Sequence, residues 1–415
     1  MRMMTALALI LVSVPAAYAA GPLTNESFIE QIGNKNDATI SQKNGNNGQA
    51  TFQVGTKNSV ITDQASKTGA GNNKSGNVQV GKNNSATTGQ TSTLPNAGFL
   101  GTPFDNNSFS AQFGNGNNVI AAQKGGQNTQ STLEVGNKNT AAVAQTDKSV
   151  TSGSTAPVGG ANTSFTGQFG NGNTAATSQK SADGTSAFGT FEPGHGNAAS
   201  ALQIGNNNEA ATSQKSVGGD KGQGVNNAAA TVQIGKGNIA TTAQGGHVAG
   251  AFGATTADQI ANFTNGSFVG QVGNNNVATI DQKNGANTQA TFQTGNGNIA
   301  DIAQKTQAFG TGNGTNNALT NQVGKNNQVT LKQSMAVPLA VGNNNSLISQ
   351  FGGSNVVNAT QSVGQQAMAG NNNLVSLQVG TGNSLTVAQA TGANVTNTSL
   401  TAQYGSHNSA TVSQR

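Results

Sequence analysis

The sequence predicts an all-β fold, a two-sided β-solenoid of fourteen strand-turn-strand repeats. Three observations predict it. One five-residue motif recurs fourteen times with unchanged internal spacing, the segments between its residues have strand length and alternation, and the composition excludes a conventional core. Of 415 residues, 57 are Gly and, counted directly, 58 are Asn and 37 are Gln, while only 8% are charged and 4% aromatic. Ordinary soluble domains carry roughly 25% charged residues. That leaves a polar disordered chain or a polar repeat protein held by backbone and amide ladders, and periodicity decides between them.

From the N-terminus, Met1-Arg2, the apolar run Ala6 to Val14, Pro15 and the small-x-small site Ala17-Tyr18-Ala19 read as a secretory signal peptide over 1–19. The run is too short to span a bilayer. Residues 20–24 form a short N-terminal segment, and 25–415 form the repeat region. With no Cys, no disulfide holds an exported product together.

The motif is Asn-x5-Gln-x-Gly-x2-Asn-x5-Gln. Its first copy is Asn25, Gln31, Gly33, Asn36 and Gln42, and its second is Asn47, Gln53, Gly55, Asn58 and Gln64. The ninth is Asn265, Gln271, Gly273, Asn276 and Gln282, and the last is Asn397, Gln403, Gly405, Asn408 and Gln414. The copies lie near 25–42, 47–64, 73–90, 106–123, 128–145, 162–179, 197–214, 227–244, 265–282, 287–304, 316–333, 344–361, 372–389 and 397–414. Across these copies the single departure is Glu134, which takes the place of the first Gln in the fifth. Successive copies start 22 residues apart at the closest and 38 at the widest, and every insertion falls between the closing Gln and the next opening Asn. The insertions therefore enter at one corner, where Pro95, Pro103, Pro157, Pro193 and Pro338 also lie and remove no ladder donor.

Each half-repeat alternates apolar, Thr and amide residues as a pleated strand requires, as in Gln49-Ala50-Thr51-Phe52-Gln53. The Gly-x2-Asn corner supplies a positive φ and a side chain that bonds its own turn. In the second half, the position two after Asn is Ala, Val or Leu in every copy (Ala38, Val60, Ala86, Leu385, Ala410), which suits a narrow interior. In the first half, periodicity alone would turn Phe28, Phe52, Phe109, Phe165, Phe268 and Phe292 inward. We expect the Asn/Gln face inward instead, with the Phe face left as an apolar stripe for lateral contacts. Stacked in register, each side-chain amide is expected to donate to the next rung and accept from the previous one, as in cross-β structure. The ladder residues named above are accordingly the candidate self-assembly site. The first and last repeats carry no polar or helical cap, and open strand edges template another copy of the chain.

The Gln-x-Gly-x2-Asn-x5-Gln core resembles the curlin repeat, carried by the subunits of curli amyloid fibres. The resemblance runs from Asn25 to Gln414, although these repeats open with Asn where curlin repeats open with Ser. It implies export through the outer-membrane curli secretion machinery and polymerisation with further copies of the chain, started by a nucleator subunit. An extracellular fibre on the bacterial cell surface, serving biofilm matrix, adhesion and cell aggregation, would follow.

Nothing in the sequence points to catalysis, a cofactor or a metal. His195, His247 and His407 sit in dissimilar contexts, and Glu30, Asp37, Asp63, Glu209, Asp281 and Asp301 occupy non-ladder positions as charges that slow aggregation. No helix follows Gly114-Asn115-Gly116 to make a phosphate loop. Lys and Arg, 19 against 14 acidic residues, are scattered singly, so no nucleic acid is required. Two rivals remain. A monomeric solenoid binding ice or polysaccharide would need regular Thr columns, which are missing. An adhesin could use its insertions to take surface or matrix ligands.

Overall fold

The computed structural model describes residues 25–66, 71–92, 105–148, 161–182, 196–217, 225–247, 263–284, 286–308, 314–337, 341–364, 369–392 and 395–415. The leader and the segment 20–24 expected from the sequence lie outside the described residues, as do most of the insertions.

Among the described residues, twenty-eight strands alternate between two parallel sheets. The first sheet holds β1 (Asn25–Asn34), β3 (Asn46–Thr56), β5 (Asn72–Lys82), β7 (Asn106–Asn115), β9 (Asn128–Asn137), β11 (Asn162–Asn171), β13 (Asn197–Asn206), β15 (Val225–Lys236), β17 (Phe263–Asn274), β19 (Asn287–Asn296), β21 (Thr315–Lys325), β23 (Val341–Gly353), β25 (Ala369–Thr381) and β27 (Thr396–Ser406). The second holds β2 (Asp37–Lys43), β4 (Ser59–Ser66), β6 (Ser85–Ser92), β8 (Asn118–Lys124), β10 (Thr140–Lys148), β12 (Thr174–Ala182), β14 (Glu209–Val217), β16 (Ile239–His247), β18 (Val277–Lys283), β20 (Ile299–Ala308), β22 (Gln328–Val337), β24 (Val356–Val363), β26 (Ser384–Thr391) and β28 (Ser409–Gln414). One odd strand and the even strand after it make a rung, and fourteen rungs at ~4.8 Å stack to roughly 65 Å.

Register follows the motif, whatever the length of the insertion. Gln31 pairs with Gln53 and Gly33 with Gly55 across 22 residues, and Gln233 pairs with Gln271 across 38. Every insertion falls between an even strand and the next odd one in sequence, and the register of the described strands is unshifted. The opposite corner is fixed by glycine. Gly55 has φ +128°, and a Cβ there would stand 1.8 Å from the Gly81 carbonyl oxygen of the next rung. Only glycine lets consecutive corners approach this closely.

A second left-handed residue lies two positions beyond that glycine, and the motif did not reveal it. It is Lys35, Lys57, Asn83, Gly116, Lys138, Gly172, Asn207 or their equivalents, all at φ near +55° to +67°. Glycine and Asn, which tolerate this region best, occupy most of these sites.

The interior has two unlike walls. The second sheet turns Ala, Val, Ile and Leu inward, with Val60, Val119, Ile280, Ile302, Leu331, Val357 and Leu385 buried, and these residues dominate the main apolar cluster. The first sheet mostly turns amides and hydroxyls inward, burying Gln49, Thr51, Ser75, Asn77, Gln130 and Thr132. Its Phe side faces outward and is largely exposed, except that Phe52, Val78 and Ala111 are buried in a small cluster flanked by Phe109 and Phe113. Phe165, Ile204, Val272, Phe292, Leu347 and Tyr404 are exposed there, and Phe268 packs against Phe292 in a tilted arrangement with ring centroids 5.2 Å apart.

Candidate functional site

Four amide columns run the length of the solenoid, placed by the parallel register. In the second-Gln column every junction is bonded, beginning with Gln42 Nε2 to Gln64 Oε1 at 2.9 Å and ending with Gln389 Nε2 to Gln414 Oε1 at 2.7 Å. Each of these glutamines sends its other N–H across the interior to the facing sheet, as Gln42 does to Glu26 O at 3.0 Å and Gln282 to Gly266 O at 2.9 Å. The column thus staples the two walls together.

The first-Gln column has the same direction, from Gln31 Nε2 to Gln53 Oε1 through Gln271 to Gln293 and on to Gln403. Its second N–H reaches a carbonyl of the preceding rung, as in Gln53 to Asp37 O and Gln403 to Ser384 O, both 3.0 Å. These staples cross between rungs and between sheets at once.

Both Asn columns donate the opposite way. Asn47 Nδ2 donates to Asn25 Oδ1, Asn287 to Asn265 and Asn397 to Asn372. At the fixed corner, Asn58 donates its backbone N–H and its Nδ2 to Asn36 Oδ1, and Asn276 and Asn408 repeat the arrangement with Asn238 and Asn383. The corner Nδ2 also donates to a Gly carbonyl one rung on, as Asn36 does to Gly55 O and Asn383 to Gly405 O. The expectation that every amide donates to the next rung therefore holds for Gln and reverses for Asn.

Interior ladder residues such as Gln53, Asn58, Gln64, Asn265, Gln271, Asn276 and Gln282 are buried. An unpaired buried amide costs ~1–3 kcal/mol, so such burial requires partners on both sides. At the two ends that condition lapses. β1 is exposed along nearly its whole length, and β28 is exposed or half-buried throughout. Among the described residues, the outward Oε1 of Gln31 and Gln42 and the outward Nδ2 of Asn25 have no rung before them, and the outward N–H of Gln403 and Gln414 and the Oδ1 of Asn397 and Asn408 have none after them.

One junction is broken. Gln112 Nε2 donates to Glu134 Oε2 at 3.0 Å, but Glu134 has no amide to offer Gln168, its register partner. Glu134 Oε1 and Gln168 Oε1 are both buried without a hydrogen-bond partner. Burial pushes the Glu134 carboxyl from 4.5 up to about 8, against the lowering effect of the Gln112 bond. Sequence reasoning recorded this substitution without seeing its consequence, which needs the column's donor direction.

Charge is segregated. Among the described residues, the first sheet carries Glu26, Glu30 and Lys74 on its outer face and Lys82, Lys236 and Lys325 where its strands end at the fixed corner. The second sheet's outer face carries Asp37, Lys43, Asp63, Lys124, Lys180, Glu209, Lys215, Asp301 and Lys305, with Lys283 and Asp281 in a 2.6 Å ion pair. Among the described residues no three His, Asp or Glu side chains gather as a metal site. No family model matches this chain, and no curated protein matches it.

Proposed function

We propose that the chain is an exported structural subunit that polymerises into cross-β fibres at a bacterial surface, contributing to biofilm matrix, adhesion and cell aggregation. The observation that carries this proposal is the complementarity of the two end rungs. Stacking the first rung of one copy on the last rung of another sets Gln403 and Gln414 N–H groups against Gln31 and Gln42 Oε1. It also sets Asn25 Nδ2 against Asn397 Oδ1. Two identical ends would instead oppose donor to donor or acceptor to acceptor. Head-to-tail contact of this kind does not close on itself, so it builds filaments. The fit of the motif to the curlin repeat supports the same reading, and with it export by the curli machinery, a nucleator subunit and a cell-surface location.

Beyond the third rung the outer face of the first sheet carries charge only at its strand ends, at Lys236 and Lys325, so side-by-side contact between such filaments there strands few charges. An adhesin role for the insertions, all at one corner, is compatible with a fibre. In the direct test, the chain lacking residues 1–19 is diluted from denaturant. Expected are thioflavin-binding fibres with cross-β diffraction, and loss of seeded elongation when Gln403 and Gln414 are both replaced by Leu. A soluble folded monomer at high concentration would overturn the proposal and favour the monomeric adhesin or polysaccharide-binding solenoid.

A further inference from the structure

We propose that Glu134 is a proton-binding site. Its neutral carboxyl replaces the missing amide, donating from Oε1 to Gln168 Oε1 and joining the fifth rung to the sixth.

The geometry leaves few alternatives. Two buried oxygens without partners, on residues paired in register, are the signature of one missing hydrogen. Flipping the Gln168 amide would supply an N–H to Glu134, but at a cost passed down the column. Gln168 Nε2 already donates to Thr140 O at 3.1 Å and to Gln203 Oε1 at 2.8 Å. A flip would set the Gln168 oxygen against both acceptors. Gln203 is anchored in the same way, to Thr174 O and Gln233 Oε1, and so is each later glutamine of the column as far as Gln378. One proton on Glu134 repairs the junction without disturbing any of them.

No neighbouring charge offers another solution. The flanking strands β7 and β11 carry no ionisable residue, and β9 carries only Glu134. In the facing sheet, β8 contributes Lys124, the last residue of its strand, and β10 contributes Asp147 and Lys148. These lie at the far end from the corner that joins β9 to β10. Lys138, at that corner, is exposed. The shift at Glu134 comes from burial, opposed only by Gln112.

The sign of the linkage follows. The folded chain keeps the proton to about pH 8, whereas the unfolded chain releases it from 4.5. The stabilisation is complete below 4.5, declines as pH rises, and is gone above about 8, with the unfolding equilibrium rising up to about tenfold per pH unit between these limits. Ionisation therefore loosens the column at one defined junction, with five rungs on one side and nine on the other. This inference concerns the folded chain and does not rest on fibre formation.

The test is proton uptake on folding. The full chain and Glu134→Gln are each diluted from denaturant into weakly buffered solution near neutral pH. The wild-type chain is expected to take up about one proton more per molecule, and equal uptake would overturn the proposal. Infrared spectroscopy of the wild-type chain gives a second measurement that needs no variant to fold. The carbonyl band of a protonated carboxyl should persist past neutrality and disappear around pH 8. Its absence in mildly acidic solution, where exposed carboxylates are already ionised, would likewise refute the site.

Discussion

The two sheets share a backbone, a register and a length, yet they distribute polarity in opposite ways. The second sheet is conventional, with Ile280, Leu331 and Leu385 inside and Lys180, Lys215 and Asp281 outside. The first sheet keeps Gln49, Thr51 and Gln130 inside and leaves Phe165, Phe292 and Tyr404 exposed. What separates them is how each inward side chain is satisfied. An interior glutamine in register makes about three hydrogen bonds, each contributing ~0.5–1.5 kcal/mol net. Turning a Phe inward would gain less than the ~1.5–3 kcal/mol of full burial, because stacking on neighbouring rungs already covers part of the ring. In an in-register stack, bonding capacity can outweigh hydrophobicity in deciding which face is the core.

The contrast can be broken most severely at the corner the sheets share. Gly205→Ala would place a Cβ 1.9 Å from the Gly235 carbonyl oxygen in a left-handed position, whereas Gly89→Ala meets no atom within 4 Å. The first should cost more than about 4 kcal/mol and prevent folding, and the second should stay within about 0.5 kcal/mol, as read from urea midpoints.

Substitutions on opposite faces sharpen the contrast. Leu331→Ala, in the apolar wall, should destabilise by about 3 kcal/mol. Gln214→Leu removes donors to Ala198 O and Gln244 Oε1 and strands the Gln179 N–H. It should cost about 2–3 kcal/mol despite adding an apolar side chain. A gain in stability would show that the amide wall is incidental.

The smallest effect on folding is expected outside. Phe292→Ala, on the exposed face, should cost about 1 kcal/mol, chiefly its pairing with Phe268. Under the proposed fibre role it should reduce lateral bundling, seen as thinner filaments by electron microscopy, at unchanged elongation rate. Bundles of normal width would argue that this face is not the lateral contact.

Much of this architecture was legible in the sequence, because a strict period with fixed corner length leaves little freedom in register. The Asn-x5-Gln segments marked the strands, and the invariant glycine marked the tight corner. The second left-handed position was less visible, because Lys35, Lys57 and Lys138 are imposed there by the corner and not favoured by their own chemistry. Donor direction was legible for Gln and not for Asn. Asn and Gln carry the same amide, and only the length of the side chain, set against the carbonyls within reach, sends one column forward and the other back. Glu134 was visible as an exception, but its meaning depends on that direction.

The opposed columns have an electrostatic consequence for length. A peptide-type amide carries a dipole of about 3.5 D, and dipoles aligned head to tail accumulate charge at the ends, as in a helix. Two Gln columns point toward the C-terminal rung, and two Asn columns point back. Their fields largely cancel in every rung, so adding rungs builds up little macroscopic dipole. Neither the fourteenth rung nor the fourteen-hundredth meets a dipolar penalty that the second did not.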